Sequence, residues 1–205
     1  MQTSILAAVF LGLVGLSGCA KIHYPSYYTL NIPSPVSGSS HANPISGTVT
    51  VREFRSPQYL RQGPIAYRPQ PEQIAFYDFH YWAEDPRKVA TQAMIRELQT
   101  QGIFKSSELY DGRGTPEFLV TGSLDQLEEV DRGTSVSVTV GLSAKLQDLK
   151  TGETVWSESS SKTTTVEQHS ISGLVAEMSR DLSETVKRLV SSMAKHVSSR
   201  SVSSR

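Results

Sequence analysis

The cysteine at position 19 is the residue with the clearest chemical potential. Cys19 is the only cysteine among 205 residues, and it follows Leu16, Ser17 and Gly18. A cysteine sulfur is a good nucleophile, so it would accept an alkyl group where a serine oxygen would not. The small residues before it would let the backbone enter a protease cleft. A single cysteine also leaves no basis for a disulfide framework or a cysteine-based metal site.

An apolar run over residues 5–16 leads up to this cysteine. The run is 12 residues long, whereas a membrane-spanning helix needs roughly 20. It therefore indicates the hydrophobic region of a secretory signal peptide. Its end resembles the lipobox of bacterial lipoproteins, in which an aliphatic residue and two small residues precede cysteine. Residues 1–4 depart from the usual pattern because they contain no Lys or Arg.

The lipobox resemblance implies cleavage between Gly18 and Cys19. Cys19 would then carry a diacylglycerol thioether on its sulfur and an acyl chain such as palmitate on its amine. The alternative is a buried N-terminal helix with an ordinary core cysteine. The Pro, Gly and Ser clusters that follow would leave such a helix nothing local to pack against, which favours the lipobox interpretation.

The charge balance narrows the range of partners. The chain has 20 basic and 20 acidic residues and a formal net charge of zero. Nucleic-acid binding needs a basic footprint, so we expect no nucleic-acid partner. The same balance argues against electrostatic attachment to anionic lipid. Since no second apolar stretch approaches transmembrane length, we expect the attachment to the membrane to depend on Cys19 alone.

No group of residues has the spacing of a catalytic or metal centre. Histidines occur at positions 23, 41, 80, 169 and 196 and never pair at metal-ligand spacing. His80 lies among aromatic residues and is expected to be structural or solvent-exposed. The signature motifs of serine hydrolases, zinc proteases and nucleotide-binding loops are also missing from the sequence. We therefore expect a protein without catalysis, metal or cofactor.

Two short polar stretches have both a functional and a plain interpretation. The Asp-Gly-Arg-Gly sequence at residues 111–114 superficially suggests a phosphate loop. It lacks the Lys-Ser/Thr that would follow, so we favour a plain turn. Glu128, Glu129 and Asp131 could bind a cation. A solvated strand end is the simpler interpretation and the one that we adopt.

Aromatic residues concentrate between positions 67 and 82. Alternation along a strand would place Ile74 and Phe76 on one side and Tyr77 and Phe79 on the other. The plain interpretation is a core of strand residues with an anchor at the helix entry. Alternation cannot bury both sides unless the hairpin is covered twice, so we expect Ile74 and Phe76 in the core. We expect an interface with a partner or another subunit formed by Tyr67, Tyr77, Phe79, Tyr81 and Trp82.

The first half of the chain predicts strands followed by a helix. Residues 27–30 are β-prone, and residues 31–47 form a Pro/Ser/Gly-rich loop or linker. Residues 48–54 predict a second strand. Residues 65–68 and 74–79 predict a hairpin around a proline-containing turn.

The first helix has clear boundary signals. Asp85 can cap it, Pro86 suits its first position, and Gly102 can end it. Its apolar residues recur at helical spacing on one side, which indicates a helix lying on a sheet. They are Val89, Ala90, Ala93, Met94 and Leu98.

The second half predicts a β-meander and a long helix. Strands are expected at residues 118–128, 136–146 and 154–159, the last with a Ser/Thr-rich continuation that is frayed. The last helix begins near Ser170 or Ser172 and keeps one apolar face for over five turns. From Val197 the composition predicts disorder.

This order of elements predicts an α/β sandwich of the α+β class, with two helices packed on one face of a mainly antiparallel sheet. We divide the chain into a signal peptide at 1–18 and a lipidated N-terminus with first strand and linker at 19–47. The main domain follows at 48–196, with the strand at 27–30 belonging to it, and the disordered tail at 197–205.

The sequence resembles the ABC-type transport auxiliary lipoprotein family, which includes the PqiC-like intermembrane transport lipoproteins. The order and spacing of several short stretches behind the lipobox carry the resemblance. These stretches are Tyr27-Tyr28-Thr29-Leu30, Tyr59-Leu60 before Ile65-Ala66-Tyr67-Arg68, residues 74–86, and Thr151-Gly152 before Trp156.

The resemblance implies a periplasmic lipoprotein that works with an MCE-domain protein and an ABC permease and ATPase. Such systems move phospholipid or other hydrophobic molecules between the two membranes. Ala20 follows the lipidated position in place of the aspartate linked with inner-membrane retention, which implies delivery to the outer membrane. We also expect a homo-oligomer. Two alternatives stay open: a structural outer-membrane lipoprotein that assists a secretion or envelope-assembly complex, and a lipoprotein hydrolase.

Overall fold

The computed structural model describes residues 23–33, 45–133, 135–167 and 170–203. The predicted cleavage site at Gly18 and Cys19 and most of the predicted linker lie outside these residues. In chain order the elements are β1 (Ser26–Tyr28), β2 (Ile45–Val51), a 3-10 turn (Gln58–Arg61), β3 (Pro64–Gln70), β4 (Gln73–Trp82), α1 (Pro86–Gln101), β5 (Phe104–Leu109), β6 (Phe118–Asp131), β7 (Val136–Asp148), β8 (Thr154–Val166) and α2 (Ile171–Ser203).

The sheet is built around the antiparallel meander of β6, β7 and β8. The other edge of β6 is shared, because β2 pairs in parallel with its first residues and β3 with its last ones. β5 extends the sheet beyond β2, and β4 and β1 extend it beyond β3. We call β1, β4 and β3 the aromatic wing and β2 and β5 the short wing. The longest pairings are antiparallel, which confirms the predicted α+β class with a mainly antiparallel sheet.

The core lies between the meander and the two helices. Alternate residues of β7, from Val136 to Leu146, face the helix side, where α2 packs on this strand, and Val138, Val140 and Leu146 have no exposed surface. The apolar stripe of α2 packs onto β7 and β8, and its central Leu182 is fully buried. We call the helix side of the sheet the inner face. The predicted apolar faces of β7, α1 and α2 are therefore confirmed.

The ends of α1 follow the predicted signals. The Asp85 carboxylate accepts a hydrogen bond from the backbone N–H of Arg87 at 2.9 Å, which caps the first turn. Pro86 is the first helical residue. Gly102 adopts a left-handed conformation with φ of 62° and donates its N–H to the carbonyls of Leu98 and Gln99. A residue with a Cβ would adopt this conformation only at a cost, so glycine ends the helix here.

Polar contacts fasten the edge strand β8 to α2. The Lys162 Nζ lies 2.8 Å from Oδ1 of the buried Asp181 and 2.6 Å from Oε2 of Glu184. The hydrogen bond that Lys162 donates to Asp181 is the largest cause that raises the pKa of Lys162. Arg188 donates to the Ser160 hydroxyl at 3.2 Å. The Ser/Thr-rich segment predicted to be frayed is therefore ordered strand as far as Val166.

Several element boundaries differ from the predicted ones. β2 ends at Val51, so Phe54 lies beyond the strand, although it is buried. The Phe54 N–H bonds to the Thr91 hydroxyl of α1 at 2.9 Å, and its ring packs on the bare backbone of Gly122. β5 was not predicted, because only its first residue, Phe104, belongs to the apolar core. The last helix continues past Val197, where we expected disorder to begin, as far as Ser203.

Candidate functional site

The five aromatic residues predicted to form one interface are distributed over different environments. Trp82 is buried in the core and belongs to no exposed surface. Tyr67 and Tyr77 contact each other on the inner face of the aromatic wing, with ring centroids 4.8 Å apart. Tyr81 lies against Tyr27 of β1 at 5.8 Å, and Phe79 is exposed. The wing therefore presents two separate aromatic groups.

The inner group, which we call the tyrosine cluster, contains Tyr28, Tyr67, Tyr77, His80 and Glu129. The Tyr77 hydroxyl donates a hydrogen bond to the Glu129 carboxylate. The His80 ring meets Tyr77 edge-on at 6.0 Å, and its Nδ1 lies 3.0 Å from the Tyr28 hydroxyl. The cluster thus joins residues of β1, β3, β4 and β6 in one connected network.

Strand register explains how the tyrosine cluster forms. Tyr67 is opposite Ala75 on β4 and opposite Glu129 on β6. Paired residues share a face and alternate residues return to it, so Tyr67, Tyr77 and Glu129 all point inward. The helices pack on the meander and the short wing. The tyrosine cluster lies beside them, partly open, on the aromatic wing.

The chemistry of Tyr77 is that of a hydrogen-bond donor. Burial raises the pKa of Tyr77, and its hydrogen bond to Glu129 raises that pKa further. The phenol therefore stays protonated at neutral pH, and it donates a hydrogen bond to a carboxylate that is buried. Such an arrangement suits recognition and orientation. It does not generate an activated nucleophile.

The neighbouring Glu128 points to the outer face and makes its own network. Its buried carboxylate accepts from Arg68 Nε at 2.8 Å and Nη2 at 3.2 Å, and from the Tyr59 hydroxyl at 2.9 Å. Burial is the largest cause that raises the pKa of Tyr59, followed by the charge of Glu128. The hydrogen bond to Glu128 raises the pKa of Arg68.

The expectation of a solvated strand end at Glu128, Glu129 and Asp131 is therefore wrong for both glutamates. β3 covers one edge of β6 here, Arg68 pairs with the Glu128 carboxylate on one face, and Tyr77 donates a hydrogen bond to the Glu129 carboxylate on the other. Asp131 is exposed and accepts the Gly133 N–H at 2.7 Å. Two adjacent acidic residues inside a strand could have indicated this burial. Alternation places their side chains on opposite faces of the sheet, so both cannot point toward water.

The backbone at Phe79 breaks the alternation on which the predicted interface depended. Ala66 pairs with Phe76 and Pro64 pairs with Tyr81, so β4 carries extra residues between these two pairs. Phe79 lies in this bulge with φ of 62°, and it is the one non-glycine residue with positive φ in the described part of the chain. Bulges of this kind re-aim side chains.

The bulge separates Tyr77 from Phe79. Tyr77 packs partly against the core, whereas Phe79 is exposed as predicted. The expectation that Ile74 and Phe76 lie in the core is wrong, since both are partly exposed. Phe76 shares its face with Ala66 on β3, which is the outer face.

The outer face also carries a groove beside the short wing. The groove has a volume of about 510 Å³, and its basic lining residues are Arg52, Arg55 and Lys145. Arg52 lies over the ring of Tyr110, with its guanidinium carbon 5.2 Å from the ring centroid. Glu53 also lines the groove, so both signs of charge are present.

The remaining candidate residues have structural surroundings. The 111–114 stretch is a turn, as predicted, in which the Asp111 carboxylate accepts the Arg113 N–H at 2.8 Å. Gly112 and Gly114 both have positive φ. The described residues contain no group of three or more His, Cys, Asp or Glu side chains able to hold a metal ion. Across the same ranges, neither helix combines the length and apolar character needed to cross a bilayer.

Solved structures share this fold at low sequence identity. A Xanthomonas campestris protein of the DUF330 family superposes with a TM-score of 0.73 at 15% identity, over 86% of this chain and 99% of the other. A second, uncharacterised protein gives a TM-score of 0.65 at 11% identity, over 83% and 99% of the two chains. PelC from Paraburkholderia phytofirmans, a dodecamer, gives 0.45 at 18% identity, over 74% and 95%. At such low identities the first two structures show a shared fold and nothing more about this chain.

None of the curated proteins compared with the chain is similar to it. A family model, by contrast, matches residues 28–190, which include every strand after β1, all of α1 and most of α2. The match covers well over half of the sequence, and the chain therefore belongs to the family described as the ABC-type transport auxiliary lipoprotein component.

Proposed function

We propose that the protein is a lipid-anchored periplasmic subunit of an MCE/ABC-type intermembrane lipid transport system. The observation that carries the proposal is the family match over residues 28–190 directly behind a lipobox-like sequence. In this proposal Cys19 carries the lipid, and the protein lies on the periplasmic face of the outer membrane. It acts as a binding and assembly module, and ATP hydrolysis takes place on the ABC partner.

The structure supports a recognition role for the domain. The tyrosine cluster joins two half-exposed rings, Tyr67 and Tyr77, to a buried carboxylate through a phenol that stays protonated. Rigid aromatic rings with polar tips provide contact area at low entropic cost. We assign the MCE-domain protein, or a neighbouring copy in a homo-oligomer, to this surface. Of the predicted interface residues, Tyr67 and Tyr77 belong to this surface, whereas Tyr81 lies in the other aromatic group and Trp82 is buried in the core.

A pull-down of the full-length protein from membranes tests the proposal. Mass spectrometry of the captured proteins and lipids should find an MCE-domain protein with an ABC permease and ATPase. Recovery of secretion or polysaccharide-assembly proteins alone would contradict the proposal and favour the structural alternative. A Cys19→Ser chain is the control, because it should carry no lipid, and it should leave the membrane fraction once residues 1–18 are also removed.

The assigned surface can be tested with matched tyrosines. Tyr67→Ala should reduce capture of the MCE-domain protein, because it removes a ring of the tyrosine cluster. Tyr110→Ala removes a comparably exposed tyrosine beside the outer groove and should leave capture unchanged. Equal capture by both variants would place the interface elsewhere. Thermal unfolding of both variants separates a lost contact from a lost fold.

A further inference from the structure

The second aromatic group of the wing is unusually exposed. Tyr24, Tyr27 and Phe79 are 77%, 65% and 47% exposed, and they are three of the five large exposed hydrophobic residues in the described ranges. The His23 ring stacks on Phe79 at 5.6 Å, and Tyr27 lies against Tyr81 at 5.8 Å. We call Tyr24, Tyr27 and Phe79 the aromatic rim. It lies along the outer edge of the wing, where β1 is the last strand of the sheet.

The backbone at Phe79 is strained, and the Phe79 ring is exposed. Phe79 holds φ of 62°, a conformation that glycine adopts freely and that costs energy for a residue with a Cβ. The exposed Phe79 ring gains little burial inside the chain to offset that cost. A strained backbone conformation that gains little burial indicates that the residue has a role other than stabilising the fold.

The rim also begins close to the proposed lipid anchor. His23, which stacks on Phe79, is four residues after Cys19. Four residues span at most about 14 Å when fully extended. Acyl chains on Cys19 would therefore keep the rim near the headgroup layer, which is roughly 5–8 Å deep on each side of the bilayer. Tyrosine and other amphipathic rings are enriched at this level of membranes.

We propose that the aromatic rim lies in the headgroup layer of the bilayer that holds the Cys19 lipid, and that it fixes the orientation of the domain on that surface. The inference rests on the proposed anchoring at Cys19. The exposed Asp78 beside Phe79 would be repelled by an anionic surface. The rim therefore fits a zwitterionic phospholipid surface, which it contacts through its rings.

This arrangement divides the aromatic wing between two neighbours. The rim contacts lipid, and the tyrosine cluster on the inner face remains accessible to a protein partner. The wing would then hold the domain in one orientation relative to the bilayer. The transport partner would then meet the tyrosine cluster in one fixed orientation relative to the bilayer.

Tryptophan reporters on the lipidated protein test the inference. Both native tryptophans, Trp82 and Trp156, are buried, so a surface reporter adds a distinct signal. Phe79→Trp is made in the full chain, matured in cells, purified and placed in phosphatidylcholine vesicles that contain brominated acyl chains. Its emission should shift to shorter wavelength and be quenched. Leu109→Trp on β5 is the matched control, since Leu109 is also 47% exposed, and its emission should change little.

The reporter results have clear consequences. Unquenched Phe79→Trp on vesicle-bound protein would overturn the inference, and so would equal quenching at both sites. Intact mass of the same sample shows whether Cys19 carries lipid. An unlipidated sample would overturn the proposed anchor, and the rim inference with it. If the protein is lipidated but Phe79→Trp is not quenched, only the rim inference is overturned.

A second variant separates docking from folding. In a chain with Tyr27→Trp as the reporter, Phe79→Gly should keep the melting temperature unchanged or raise it, because glycine accepts positive φ. The same change should reduce quenching of the Tyr27→Trp reporter, because the rim loses a ring. If Phe79→Gly leaves quenching intact, Phe79 does not contact lipid and the inference fails. The same holds if the variant also loses capture of the MCE-domain protein while quenching is unchanged.

Discussion

The meander with its two helices and the aromatic wing are parts of the same sheet, but they obey simple alternation to different degrees. Along β7, alternate residues from Val136 to Leu146 point to the helices without interruption. Along β4, alternation ends at the bulge that contains Phe79, and its partly buried positions do not form one apolar face. Where helices cover a sheet face, a polar side chain placed on it is buried, and without a hydrogen-bond partner it lowers the stability of the fold. The wing extends beyond that cover, so local backbone geometry and polar contacts determine where its side chains point.

This difference suggests where function has room to act. The inward side chains of the meander are buried, including Leu142 and Leu146 in the core that α2 covers. The wing keeps strained, half-exposed and charged residues that contribute less to packing, including Phe79, Tyr77 and Arg68. Features of this kind concentrate at binding sites. Substitutions at four positions, each with its control, test the contrast, and they follow from the largest expected effect to the smallest.

The largest effect is expected in the helix-covered core. Leu182 is fully buried in the middle of α2, and Leu182→Ala should lower the free energy of unfolding by about 2–5 kcal/mol. Leu182→Asp should cost more, because it buries an unpaired charge. Lys187→Ala, on the exposed side of the same helix, should stay within about 0.5 kcal/mol. Urea unfolding measures all three, and equal losses for Leu182→Asp and Lys187→Ala would show that the apolar face is misassigned.

A smaller loss is expected at the boundary between meander and wing. Arg68→Ala removes the cation from the buried Glu128 carboxylate, while the Tyr59 hydrogen bond remains. We expect a loss of about 2–3 kcal/mol, below the usual range for breaking a buried pair, because Arg68 is partly exposed and Tyr59 still donates. Arg68→Ala combined with Glu128→Gln should recover part of the loss. If the double variant is no more stable than Arg68→Ala, the uncompensated charge is not the cause.

The cap of α1 should contribute less. Asp85→Ala removes the bond to the Arg87 N–H and should cost about 1 kcal/mol, whereas Asp85→Asn preserves the cap. Burial raises the pKa of Asp85, but the hydrogen bonds from Arg87 outweigh it, and the net pKa is lowered. The ionised carboxylate therefore stabilises the fold above its unfolded pKa of about 3.9, and this contribution is lost as pH falls through the lower folded pKa.

A pH series of urea unfolding checks this sign. The stability difference between wild type and Asp85→Ala should be largest at neutral pH and should shrink as the solution is acidified below the unfolded pKa of aspartate. A difference that grows on acidification would contradict the assignment. Asp85→Asn is the control, because its amide does not titrate and its cap should persist across the series.

The smallest effect, and the one with the opposite sign, is expected in the wing. Phe79→Gly relieves the positive φ and should leave the free energy of unfolding unchanged or raise it by up to about 1 kcal/mol. Ala93→Gly in the middle of α1 is the counterpart, because the same kind of change in a buried helix should destabilise by about 1 kcal/mol or more. A clear loss of stability for Phe79→Gly in thermal unfolding would mean that its ring contributes to the fold.

Much of the fold could be predicted from residue patterns alone. Helix α1 carries its own start and stop signals in Asp85, Pro86 and Gly102, and these act locally through caps that need no distant partner. The alternation in β7 and the stripe in α2 are equally local, and burying them against each other leaves essentially one class of architecture. The lipobox-like end of the apolar run is also a feature of the sequence alone.

Only the tertiary structure determined where the side chains of the aromatic wing and of the adjoining end of β6 point. Whether Glu128 and Glu129 face water depends on β3, a strand some 60 residues earlier in the chain, which supplies Arg68 and lies beside β6. Whether Tyr77 and Phe79 share a face depends on the bulge in β4, which forms because Phe76 and Tyr81 pair with residues only two apart on β3. Both outcomes arise from long-range strand register, and a local pattern of residue types carries no information about the position of a distant strand.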